Sequence, residues 1–317
     1  MILSFFIGLL TERFVDPEIK PTGWRYFLTR SAVVLGQWQL YIAGIVFDVI
    51  GKPADPSEAP ILVIGPHSTI IDGFCLLQHA KYHDLPAPTA AIENTRLPLI
   101  GPLIKICRPI VIDRHDSQSK FDVISQLKKR VTDRNFPQSA LFPEGSLTLN
   151  AYSYVLGTNS NRKALMTFKP GAFIPGAPIQ PIVLRFSGWD TYTWTFGQKP
   201  TNLALLVFLS LSQPVIRFTM EYLPVYKPTT TEKNDPMLFA RNVRRLMANS
   251  LSVPVSDWTF ENGFLLDRAL QLGLPARVVN FNVHKLSKQT GLNWRQIRSL
   301  LVEFHSISQS GKRPLYF

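Results

Sequence analysis

Ile61-Leu62-Val63-Ile64-Gly65-Pro66-His67-Ser68-Thr69-Ile70-Ile71-Asp72-Gly73-Phe74 is the stretch on which the fold turns. An aliphatic run that stops at Gly65-Pro66 reads as a buried strand, because proline has no N–H to give to a ladder and glycine frees the backbone for a turn. His67 and Asp72 come next. On one continuous helix, positions five apart would project their side chains roughly 140° from each other, so they would not meet. A strand, a loop and a new helix bring them together. Thr69 followed three residues later by Asp72 has the form of a capping box, which opens a helix and lets His67 fold back onto the carboxylate. A carboxylate on one imidazole nitrogen sets the tautomer and leaves the other to take a proton. The same residues equally describe a plain turn in which Asp72 only caps the helix. The stretch alone does not separate the two.

Downstream, further strands end in chemically useful residues. Pro109-Ile110-Val111-Ile112-Asp113-Arg114 reads as a strand closed by Arg114, and Gln138 to Phe142 as a strand running into Pro143-Glu144-Gly145-Ser146. Ser117 to Arg134, with Phe121, Ile124, Leu127 and Val131 at helical spacing, predicts a helix between them. Leu97 to Cys107 predicts a compact apolar helix, and Phe74 to Tyr82 another. Thr89 to Ile92 and Pro181 to Phe186 predict strands. Strands alternating with helices predict an α/β fold with a mixed, partly parallel sheet flanked by helices. In such sheets ligands collect at the carboxyl ends of strands, so His67, Arg114 and Glu144 are expected on one edge.

The 317 residues are 45% hydrophobic, enough for a substantial core. Lys and Arg outnumber Asp and Glu by 34 to 22, a net charge of +12, which points to partners carrying phosphate or anionic headgroups. With no zinc-finger spacing and no RNA-recognition consensus, nucleic acid is not an expected partner. The two cysteines, Cys75 and Cys107, sit inside apolar runs and suit buried thiols in a reducing compartment.

Residues 1–52 are expected to form an N-terminal membrane-associated helical segment. Met1 to Leu10 is apolar but too short to span, and Thr11-Glu12-Arg13 does not suit signal cleavage. Ser31 to Phe47 is 17 residues without a charge, at the lower limit for a span. Its Gln37, Trp38, Gln39 and Tyr41, preceded by Trp24-Arg25-Tyr26-Phe27, fit a helix at headgroup level, with a buried core helix as the other reading. Residues 53–227 are expected to be the catalytic domain. After the polar linker Lys227 to Pro236, residues 237–317 read as a small helical C-terminal appendage: a helix from Met237 to Ser250 bears Arg241, Arg244 and Arg245, and the remainder, with Lys285, Lys288, Arg295 and Arg298, carries a basic face. Leu203 to Leu211 is a shorter apolar stretch, too short to span, that suits the lining of an apolar channel, an interfacial segment or a core helix.

Four ordered blocks over about 120 residues resemble the glycerolipid acyltransferase family. They are His67-Ser68-Thr69-Ile70-Ile71-Asp72, then Arg108 to Arg114, where the family more often begins with glycine, then Phe142-Pro143-Glu144-Gly145-Ser146, then Ile174 to Val183. Phe168 to Pro178 and Glu221 to Tyr226 look most like its lysophosphatidylcholine and lysophosphatidylethanolamine acyltransferase branch. A departure is the insertion between Ser146 and Thr167. The resemblance implies acyl transfer from acyl-CoA, as co-substrate, to the free glycerol hydroxyl of a lysophospholipid, with no other cofactor and no metal; no calcium-loop motif is present. It implies His67 as general base held by Asp72, oxyanion donors at the backbone of Gly145 and Ser146, and Arg114 on phosphate, oriented by or simply paired with Glu144. Lys169 is a further candidate for a phosphate, with solvation as its default. The alternatives are a lysophosphatidate or glycerol-3-phosphate acyltransferase and, from another class, a catalytically silent membrane lipid-binding protein. A covalent hydrolase is disfavoured, since no Gly-x-Ser-x-Gly elbow and no Cys-His pairing occur. An endoplasmic reticulum membrane, with the site facing the cytosol, is the expected location.

Overall fold

The computed structural model describes residues 16, 18–69, 71–96, 101–113, 116, 118–133, 135–144, 162–187, 208, 212–274 and 283–310. Helix α1 (Gly23–Ile42) leads into strand β1 (Ile45–Ile50), then β2 (Ile61–Gly65), a 3-10 turn at Asp72–Phe74 and α2 (Cys75–His79). β3 (Ala87–Ala91), α3 (Ile92–Thr95), α4 (Gly101–Ile106), β4 (Ile110–Ile112), α5 (Gln118–Thr132) and β5 (Ser139–Leu141) follow. The core closes with β6 (Ile179–Ser187), β7 (Ile216–Tyr222), α6 (Thr230–Asn234) and α7 (Pro236–Leu251), ahead of α8 (Phe260–Gln271), α9 (Val283–Thr290) and α10 (Trp294–Ser310).

The strands form one seven-stranded sheet in the order β1-β7-β6-β2-β5-β3-β4. Every pairing is parallel except β6 with β7, so the fold is the mixed, mostly parallel α/β arrangement that the alternating pattern predicts. Central β2 is buried along its whole length. Its residues alternate between faces, as the strand period requires. Ile61 and Val63 pack with Leu127 of α5 and with Phe239, Val243 and Met247 of α7. Leu62 and Ile64 pack on the other face with Cys75 and Leu76 of α2. Each such large aliphatic or aromatic side chain contributes about 1.5–3 kcal/mol by leaving water.

Three expected boundaries move. The apolar helix read across Ser31 to Phe47 ends at Ile42. Gly44 takes a positive φ of 73° at the turn, where a Cβ would fall 2.2 Å from the Pro214 carbonyl oxygen, and the β-branched run after it pairs with β7 as an edge strand. The sheet therefore begins inside the segment 1–52 that the sequence assigns to an anchor. Among the described residues, no helix is long and apolar enough to cross a membrane. Secondly, α7 belongs to the main core and not to the appendage expected from residue 237, because Phe239, Ala240, Val243, Met247 and Ala248 face the sheet. Leu265, Ala269, Val283 and Ile297 of the last three helices form a small cluster of their own. Finally, Thr69 and Asp72 do not make a capping box: the first turn is 3-10, and its N-cap, Ile71, offers no side-chain cap.

Helix α1 is fastened to α2. Gln37 Nε2 donates to the Leu77 carbonyl at 2.7 Å, and an Arg30 guanidinium N–H donates to the Ala80 carbonyl. Both carbonyls lie at the C-terminal end of α2, where a helix has no partners of its own.

Candidate active site

β2 and β5 are adjacent and parallel, so the residues just past their carboxyl ends are neighbours. That places His67 and Glu144 on one edge of the sheet. Asp72 Oδ2 sits 2.9 Å from His67 Nδ1 and also accepts the backbone N–H groups of Ser68 and Thr69, while Oδ1 accepts the Thr69 hydroxyl at 2.7 Å. Thr69 Oγ1 in turn accepts the Ile71 N–H at 3.1 Å. The helix that the spacing predicts is thus replaced by a compact turn wound around one carboxylate. An ionised carboxylate only accepts, so His67 carries its proton on Nδ1, and the Nε2 lone pair points away from Asp72. Both side chains are buried, at 4% and 0% exposure.

The imidazole is held from its face as well. The Phe142 ring stacks on it at 4.3 Å between centroids and 28° between planes. Phe142 reads as a strand residue in the sequence; its contact follows only from β5 lying beside β2. The backbone under the imidazole is held by Glu144. Glu144 Oε2 accepts the His67 N–H at 2.9 Å and Oε1 accepts the Met166 N–H at 3.0 Å. This carboxyl is fully buried, and the loss of water pushes it up to about 7 against the two N–H donors that pull it down.

Glu144 is therefore an internal clamp on two backbone segments. Arg114, Gly145 and Ser146 lie outside the described residues, as does most of the insertion between Ser146 and Thr167 and nearly all of Leu203 to Leu211. Lys169 Nζ pairs with Glu261 Oε1 of α8 at 3.0 Å on the protein's surface, and its backbone N–H donates to the Pro143 carbonyl at 2.8 Å. Sequence reasoning missed Met166, which offers no side-chain chemistry, because its part is played by the backbone. Both cysteines are free thiols. Burial pushes Cys107 up to about 12 and raises Cys75 as well, with the Asp72 charge adding to it, so neither is a ready nucleophile.

Beneath the site, His79 bridges the sheet. Its Nδ1 meets the Tyr222 hydroxyl at 2.8 Å and its Nε2 meets Gln138 Oε1 at 2.9 Å. Gln138 Oε1 accepts, so Nε2 carries the proton and Nδ1 receives the phenol hydrogen. Burial pushes this imidazole down to about 4.

Residues 46–185 match the family model described as Acyltransferase. Across 92% of its length the chain is 40% identical to lysophosphatidylcholine acyltransferase 2 of Homo sapiens, covering 51% of that protein. It is 36% identical to lysophosphatidylcholine acyltransferase 2B of Rattus norvegicus, over 98% of this chain and 58% of that one. The chain thus spans about half the length of the curated relatives it matches. Among solved structures, the 1-acyl-sn-glycerophosphate (LPA) acyltransferase of Thermotoga maritima aligns with a TM-score of 0.47 and 14% identity, over 81% of this chain and 91% of that chain. Residues 46–185 thus match an Acyltransferase domain, and across nearly its whole length the chain is similar to lysophosphatidylcholine acyltransferases.

Proposed function

We propose that this protein transfers a fatty acyl group from acyl-CoA to the free glycerol hydroxyl of a lysophospholipid, lysophosphatidylcholine or lysophosphatidylethanolamine. The observation that carries the reading is the His67–Asp72 contact at 2.9 Å at the carboxyl edge of the sheet, since it presents one imidazole nitrogen as a base of defined tautomer. His67 Nε2 takes the proton of the acceptor hydroxyl as its oxygen attacks the thioester carbonyl. The tetrahedral intermediate then collapses, the C–S bond breaks, and the departing CoA sulfur takes the proton back from the imidazolium. Asp72 holds the imidazolium in place and stabilises its charge. Oxyanion donors at Gly145 and Ser146 and a phosphate contact at Arg114 complete the proposal.

A membrane surface supplies the acceptor. Trp24, Phe27, Val34, Trp38, Tyr41 and Ile42 of α1 are all exposed. Helical geometry places them within roughly 100° of one another on one face. Aromatic rings on a helix face together with a net charge of +12 suit the headgroup region of an anionic bilayer. An endoplasmic reticulum membrane, with the site on the cytosolic side where acyl-CoA is found, belongs to the same proposal. The test is a panel of lysophospholipids that differ only in headgroup, assayed with one acyl-CoA for thiol release. Consumption of lysophosphatidylcholine or lysophosphatidylethanolamine by the wild type, abolished in His67→Ala, is the expected result. Equal activity in His67→Ala removes the base assignment, and turnover of lysophosphatidate alone moves the chain to another branch.

A further inference from the structure

Arg244 reads in the sequence as one of three arginines on the first helix of the expected appendage, and in the structure it is 7% exposed. Its guanidinium NH1 donates to the Ser256 carbonyl at 2.8 Å and to Thr167 Oγ1 at 3.2 Å. Residues 254–258, which lead into α8, run parallel to residues 165–167 through a bridge at Leu165 and Val255. Leu165 N–H donates to the Pro254 carbonyl at 3.0 Å and Ser256 N–H to the Leu165 carbonyl at 2.8 Å. In a regular parallel ladder the Ser256 carbonyl would next receive the Thr167 N–H. That N–H instead reaches on to the Trp258 carbonyl at 2.9 Å, and the Ser256 carbonyl is left to Arg244 and the Thr167 hydroxyl. The arginine therefore fills a break in the ladder, from a helix packed in the main core.

Between Leu165 and Thr167 lies Met166, whose N–H holds Glu144, whose other oxygen holds the backbone N–H of His67. Hydrogen bonds from the segment entering α8 to residues 165 and 167, the covalent backbone through Met166, and the two hydrogen bonds of Glu144 thus join that segment to the residue proposed as the base. We infer that Arg244 and residues 254–258 form a strap that positions the His67 backbone, with Arg244 and Thr167 as positioning residues that couple the C-terminal helices to the site. A side chain that touches no substrate acts here by setting where the imidazole stands, and misplacement by about 1 Å is enough to slow an oriented reaction by about 100-fold. The inference rests on the proposed acyl transfer for its kinetic consequence, though not for its geometry.

The experiment uses the full chain with Arg244→Met, which keeps the length and loses the donors, Arg244→Lys, which restores one donor group, and the milder Thr167→Val. Amide hydrogen exchange at Met166 and His67 is measured beside kcat and KM for thiol release, each corrected for the folded fraction from circular dichroism. Expected are faster exchange at both amides in Arg244→Met and Thr167→Val, kcat lower by about tenfold or more in Arg244→Met with KM for acyl-CoA within about twofold, and recovery of most of both in Arg244→Lys. Wild-type exchange at His67 and Met166 in folded Arg244→Met overturns the strap, as does a kcat loss that vanishes once the folded fraction is taken into account. Absence of acyl transfer in the wild type overturns the proposed function instead and leaves the exchange result to decide the strap.

Discussion

The Glu144 carboxylate and the His67 backbone N–H, 77 residues apart in the chain, meet at 2.9 Å in the interior. One oxygen of a fully buried acid thereby fixes the start of the turn that carries the imidazole, and the other fixes Met166. Replacing the acid with its amide leaves one acceptor and turns an NH2 group toward an N–H. Glu144→Gln is expected to lower kcat for thiol release by roughly 10–100-fold through lost orientation, with a smaller change in KM. Steady-state kinetics on folded protein check this, and an unchanged kcat would exclude the clamp.

The same carboxyl has a pH signature. Its folded-state pKa is raised to about 7 from an ordinary 4.5, so the folded protein holds a proton that the unfolded chain releases. Its contribution is fully present below about 4.5 and is lost as pH rises through about 7. Wild type compared with Glu144→Gln should lose on the order of 3 kcal/mol of relative stability across that window. Urea denaturation at pH 4.5, 6 and 8 measures it; a difference that stays constant with pH contradicts the shift.

His79 works in the opposite direction. Its folded-state pKa is pushed down to about 4 by burial, so below about 6.5 the unfolded chain binds a proton that the folded one refuses. The folded state therefore weakens as pH falls from about 6.5 to about 4, by on the order of 3 kcal/mol. The windows of His79 and Glu144 nearly coincide and their signs differ, so the wild type shows a muted response. His79→Gln is expected to retain stability at low pH relative to wild type, as read by urea midpoints at pH 7 and pH 4.5.

At Asp72 four donors converge on two oxygens, three from the backbone and side chain of Ser68 and Thr69 and one from His67. An asparagine there must turn its NH2 toward some of those donors, and the imidazole loses its tautomer and its counter-charge. Asp72→Asn should cost roughly 10⁴ in kcat, the scale found where a triad aspartate is made neutral. Thiol release followed continuously at saturating acyl-CoA settles it; a loss smaller than tenfold removes the orienting role.

For the exposed face of α1, Trp24→Ser, Phe27→Ser and Trp38→Ser in one variant should reduce partitioning to anionic vesicles by on the order of tenfold for each residue. Co-sedimentation with vesicles of lysophospholipid and an anionic phospholipid gives the partition coefficient. Binding equal to wild type places the membrane contact elsewhere.

Much of the architecture was open to sequence reading because the strands of a mostly parallel sheet are short, apolar and bounded by breakers. Ile61 to Gly65, Ser139 to Leu141 and Gln118 to Thr132 fall close to their expected limits. Ile45 to Ile50 was hidden by its neighbours. Its apolar residues continue those of α1 without a polar break, and only pairing with β7, some 170 positions later, makes them a strand. The role of Arg244 was hidden for the converse reason, since its acceptors, the Ser256 carbonyl and the Thr167 hydroxyl, are supplied by a break in a ladder between other segments.

The sequence by itself determined the chemistry on offer: a histidine and an aspartate placed so that a turn after a strand can join them, and four blocks in the order of the acyltransferase family. Those are local properties, set by breaker residues and short-range hydrogen bonds. Tertiary structure alone decided how the histidine is held. Phe142 stacking, the Glu144 clamp, and the strap through Met166 to Arg244 all join segments far apart in the chain. Such contacts exist only where a buried core desolvates a carboxylate and a guanidinium and leaves backbone groups as their partners.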